Sequence, residues 1–88
     1  MRRGTIGAVP LFVLSHRHAP DECRSAFAAW KGFDSPLRHR PTVISCVEGG
    51  HAAWWQVEAS DARAALAQLP PYVAERTEIE AVREVQLP

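Results

Sequence analysis

Two short stretches of this chain are apolar at every position: Leu11-Phe12-Val13-Leu14 and Ala52-Ala53-Trp54-Trp55. A strand with one wet face alternates apolar and polar residues. An unbroken apolar run of strand length therefore asks for cover on both faces. With 88 residues the chain has enough length for one domain, and a domain this short leaves much apolar area uncovered. The pattern predicts that a second copy of the chain supplies the missing cover.

The remaining elements follow from local chemistry. Residues 9–16 read as a first strand. Residues 20–31 read as a first helix: Pro20 suits the first helical position, Asp21 and Glu22 complement the dipole, and Cys23, Ala26, Phe27 and Trp30 make one apolar stripe. Residues 33–41 are loop, with Asp34-Ser35-Pro36 as turn chemistry. Residues 42–47 read as a β-branched second strand, Glu48-Gly49-Gly50-His51 as a reversal, and residues 52–58 as a third strand. Ser60 is a good N-cap for a second helix with Ala62, Ala65, Leu66 and Leu69 on its stripe, and Pro70-Pro71 end or kink it. Residues 77–87 read as a fourth strand, with Ile79, Ala81, Val85 and Leu87 on one parity.

The order β-α-β-β-α-β predicts an α+β, ferredoxin-like fold: a four-stranded antiparallel sheet with two helices on one face. This order and the doubly apolar strands resemble the dimeric α/β-barrel superfamily of small bacterial proteins. That group includes cofactor-independent quinol monooxygenases, muconolactone-isomerase-like enzymes and small proteins reported to bind metals. The resemblance covers residues 8–88 as architecture, and implies a homodimer with a cavity between sheet and helices. It carries no catalytic residue over to this sequence.

Composition excludes several classes. Ten basic and ten acidic residues give zero net charge, and basic and aromatic residues are not interleaved as nucleic-acid binding requires. Charge is uneven along the chain: seven basic and three acidic residues in the first 44 positions, three and seven in the last 44. No stretch approaches the ~18 apolar residues of a membrane span. Arg2-Arg3 and the apolar residues after them imitate the start of a secretory signal, but Ser15-His16-Arg17-His18 stand where small residues would precede cleavage. The expectation is a cytoplasmic protein with residues 1–7 as a flexible arm and residues 8–88 as one domain. Two cysteines make no disulfide framework.

The chemistry gathers at three chain reversals. His16 and His18 close the first strand, two residues apart and so on one face. Cys23 opens the first helix; Cys46 and His51 flank the hairpin. The predicted topology puts all three reversals at one end of the sheet. His16, His18, Cys23, Cys46 and His51 are thus candidate ligands for zinc, nickel or copper, with Asp21 and Glu22 as carboxylates able to orient a histidine. The same histidines, His16 and His18, also suit a general base in an enzyme acting on a small aromatic or enolisable compound. Trp54, Trp55, Tyr72 and Phe27 are candidate walls for such a ligand. At most one of the adjacent tryptophans can face any one cavity. The cluster Arg38-His39-Arg40 precedes the second strand and is expected at the opposite end of the sheet, as solvated surface. Phosphate-cradling glycine loops, Gly-x-Ser-x-Gly elbows and His-Glu-x-x-His motifs are all missing.

Overall fold

The computed structural model describes residues 9–88; the arm expected over residues 1–7 lies outside them. Four strands, β1 (Leu11–Arg17), β2 (Val43–Ile44), β3 (Ala52–Glu58) and β4 (Thr77–Val82), form one sheet in the order β2-β3-β1-β4. Every neighbouring pair is antiparallel. Three short helices, α1 (Cys23–Ala28), α2 (Ala62–Leu66) and α3 (Pro71–Ala74), fill the crossovers, and 3-10 turns occupy Pro20–Glu22 and Cys46–Glu48. The fold is α+β. Among the described residues no helix is long and apolar enough to cross a membrane.

Register decides which residues share a face. Leu14 lies opposite Trp55 on β3 and Ile79 on β4, Phe12 opposite Val57 and Ala81, and His16 opposite Ala53 and Thr77. Of these, Phe12, Leu14 and Val57 join Leu37, Ala65, Leu69 and Val73 in the core, with Trp55 and Ile79 packed against it, whereas Ala81 is exposed. The other face carries Val13, Ser15, Trp54, Gln56, Glu78 and Glu80, which are half-exposed or exposed. Burial therefore alternates along β1 in the single chain, although its sequence does not alternate.

Several elements are shorter than their sequence patterns. The first helix, expected over residues 20–31, begins as a 3-10 turn and is α-helical only over Cys23–Ala28; Phe27, from its stripe, is exposed. The second strand shrinks from residues 42–47 to Val43–Ile44, because Cys46–Glu48 coil into a 3-10 turn. Asp61, not Ser60, caps α2, its carboxylate accepting from the Ala64 N–H at 2.8 Å. The proline pair breaks the expected second helix in two, and Pro71 starts α3. The fourth strand stops at Val82, leaving Val85 and Leu87 exposed with no sheet partner among the described residues.

Candidate metal centre

Each donor of the cluster is placed by an element end. His18 follows β1 by one residue and keeps the parity of Phe12, Leu14 and His16. Cys23 is the first residue of α1, Cys46 opens the 3-10 turn after β2, and His51 immediately precedes β3. The β2–β3 connection is tightly folded: the Gly50 N–H donates to the Ser45 carbonyl at 2.7 Å, and Ser45 N–H to the Ala52 carbonyl at 2.8 Å. Gly49 adopts φ 89°, and a Cβ on Gly50 would run into the Ser45 side chain. His51 itself sits at φ 55°, a left-handed conformation that is costly for a residue with a side chain. A bond from the His18 N–H to the His51 carbonyl, 3.1 Å, holds it there and ties the two histidine-bearing segments together.

Four side chains converge: His18, Cys23, Cys46 and His51 each offer one ligand atom, all within 4.8 Å of one another. His18 Nε2 lies 3.2 Å from Cys23 Sγ and 3.4 Å from Cys46 Sγ, and Cys23 Sγ lies 3.1 Å from His51 Nδ1. In a tetrahedron with zinc–sulfur bonds of ~2.3 Å and zinc–nitrogen bonds of ~2.0–2.1 Å, a sulfur–nitrogen edge is ~3.6 Å. The three observed sulfur–nitrogen edges fall short of that by a few tenths of an ångström.

The contacts are shared: Cys23 Sγ meets two imidazole nitrogens, and His18 Nε2 meets two sulfurs. Thiols are weak donors and weak acceptors, so hydrogen bonds among these four groups hold them together only weakly. A single cation satisfies all four atoms at once. Burial, and after it the neighbouring sulfur of Cys23, push the Cys46 thiol above its usual range. The Cys46 sulfur would therefore lose its proton on metal binding rather than before it.

His16 is the fifth residue expected as a ligand, and the structure leaves it outside the group of four. It is 2% exposed and stands behind His18, its Nε2 2.8 Å from His18 Nδ1. The reason is its place along the strand: His16 lies inside β1, paired with Ala53 and Thr77, whereas His18 lies past the strand's end. There the His16 Nδ1 lies 3.2 Å from the Val73 carbonyl and 3.3 Å from the Thr77 hydroxyl. This network assigns the protons. If His18 offers Nε2 to a metal, its Nδ1–H donates to His16 Nε2, and His16 Nδ1–H donates to the Val73 carbonyl. The Thr77 hydroxyl donates to that same carbonyl at 2.6 Å. Burial is the main cause that lowers the His16 pKa, in keeping with a neutral ring. His16 thus does for His18 what Asp21 and Glu22 were expected to do. Asp21 is exposed, and Glu22 is engaged elsewhere: its carboxylate accepts from the Ala19 N–H at 2.8 Å and pairs with Arg76 at 3.2 Å.

A cavity of about 260 Å³ adjoins the cluster, with His16, His18 and Cys46 in its wall. Trp55 and Phe27, two of the four candidate wall residues, line it. Trp54 and Tyr72 do not: Trp54 points to the other sheet face, beneath the Arg17 guanidinium, and Tyr72 is covered by Arg76 at 3.8 Å. Trp55 Nε1 is buried and finds no acceptor among the described residues; its ring lies between those of His16 and Trp30. Contrary to expectation, Arg38, His39 and Arg40 also line this cavity. The long loop before β2 is anchored by the Ser35 hydroxyl donating to the Gln68 carbonyl at 2.7 Å.

One signal in the sequence went unread. His18–Cys23 and Cys46–His51 are both five-residue offsets, in mirrored order, one pair on each connection that meets at this end of the sheet. Comparison with protein-family models, with curated proteins and with solved structures finds no match for this chain.

Proposed function

We propose that this protein binds one zinc-class ion through His18, Cys23, Cys46 and His51. The observation that carries the reading is the convergence of two sulfurs and two ring nitrogens within 4.8 Å of one another, a donor set zinc takes up. Two thiolates and two imidazoles favour zinc or Cu(I) over harder cations and make a neutral zinc complex. Four protein donors leave no open position for substrate, which fits a structural or sensing role better than Lewis-acid catalysis. The general-base reading of His16 and His18 has less support, because both ring nitrogens of His16 have polar neighbours and His18 Nε2 faces the sulfurs.

Metal analysis of purified protein tests this. One zinc or copper per chain is expected, abolished in a Cys23→Ser/Cys46→Ser variant and retained when Cys residues are intact and Phe27 is changed to Ala. Protein without metal that takes up neither zinc nor Cu(I) on addition contradicts it.

We read the strand order, with its two split β-α-β units, as ferredoxin-like. The half-exposed sheet face around Val13 and Trp54 is the surface on which a second copy of the chain would pack. Sedimentation of a dimer that dissociates on Trp54→Glu substitution would support this, and a monomer at all concentrations would oppose it.

A further inference from the structure

We infer that the cavity beside the cluster binds a small aromatic carboxylate. Its volume, about 260 Å³, exceeds the ~150 Å³ that suffices for benzene and leaves room for one ring with a charged substituent. The walls match such a molecule. The Trp30 and Trp55 rings stand with centroids 5.8 Å apart and planes at 46°, offering faces on which a flat ring packs. Leu37 and Ile44 add aliphatic surface, and Phe27, 57% exposed, stands at the mouth.

Charge selects the substituent. Arg38 and Arg40 line the cavity, and no carboxylate does so among the described residues. Neither arginine has an ion-pair partner among the described residues, where Arg76 takes both Glu22 and Glu75. A guanidinium presents a planar fork that matches a carboxylate. Arg38 donates one N–H to the Phe33 carbonyl at 3.2 Å, which fixes it and leaves its other donors free. Between the two arginines His39 is held at φ 65°, a strained conformation of the kind retained at binding sites. Predominantly apolar walls disfavour a heavily hydrated ion such as inorganic phosphate. The inference does not rest on an occupied metal centre, because Trp30, Trp55, Arg38 and Arg40 are not among its ligands.

Titration of the full-length protein with benzoate, phenylacetate, benzyl alcohol and inorganic phosphate, read by tryptophan fluorescence and calorimetry, tests it. The acids should bind saturably and about tenfold or more tightly than the alcohol, the effect of one charge-assisted contact. An Arg38→Gln/Arg40→Gln variant should lose that advantage and bind the alcohol as before. Its near-ultraviolet circular dichroism establishes that the fold is kept; if it does not fold, the ratio of acid to alcohol in the unaltered protein decides alone. Overturning results are no saturable binding of either acid at millimolar concentration, equal binding of acid and alcohol, phosphate binding as tight as benzoate, or a folded double variant with undiminished affinity for the acids. Metal content is measured separately, so an empty cavity and an empty metal centre are distinguishable.

Discussion

The two halves of the covered sheet face are filled differently. Beneath α2 and α3 the packing is close: Leu14, Ala65, Leu69 and Val73 are all at most 2% exposed. Beneath α1 only Ala26 is buried from the helix, the space next to it is a cavity, and the chain is drawn together by histidines and cysteines. The difference teaches where each half gets its stability. One half repays chain entropy by burying apolar surface. The other has two short helical turns, a two-residue strand and a left-handed histidine, none of which is stable alone. A metal bound only by the folded state, as proposed, would supply what its packing lacks.

Removing the metal should therefore break this contrast most sharply. Chelation, or Cys46→Ser, is expected to cost several kcal/mol, about the share a structural site contributes to a small domain. Hydrogen exchange should show α1 and the β2–β3 connection opening while the β1–β4 pairing stays protected. Uniform opening of the whole chain would erase the distinction between the halves.

Leu69→Ala strikes the packed half instead. A fully buried leucine truncated to alanine costs about 2–5 kcal/mol, read by denaturant unfolding of the metal-loaded protein, and metal affinity should be little changed. A variant that loses metal as well would mean that the halves are not separable.

His16→Ala joins the halves, since this ring links His18 to the Val73 carbonyl above the packed core. Loss of a hydrogen-bond partner behind a ligating histidine typically weakens metal binding by about 10–100-fold. Competition against a chromogenic chelator measures this. Unchanged affinity would show that His18 is oriented without His16.

The smallest effect is expected at the α2 cap. Asp61→Ala removes the carboxylate that accepts from the Ala64 N–H and should cost about 1 kcal/mol, seen as a lower Tm with metal content unaltered.

The sheet was legible because β1 and β3 carry dense apolar runs, and those runs mark strands wherever the chain places them. The ends of elements were less legible. Val47 is a strand-forming residue, yet it is exposed in a 3-10 turn, because Cys46 and His51 must swing toward His18. Local propensity does not contain that demand. Cys23, Cys46, His18 and His51 could be grouped from the positions of the chain reversals. The separate role of His16 could not, because it depends on a carbonyl 57 residues away. Arg38 and Arg40 were read as solvated surface; that they line the cavity depends on the path of a loop tied by Ser35 to Gln68, a contact with no local signature.

X-ray absorption at the zinc edge of the metal-loaded protein tests the central claim most directly. Two sulfur atoms at ~2.3 Å and two imidazole nitrogens at ~2.0–2.1 Å are predicted. A shell of nitrogen and oxygen alone, or one holding a single sulfur, would contradict the assignment of Cys23 and Cys46 as joint ligands with His18 and His51.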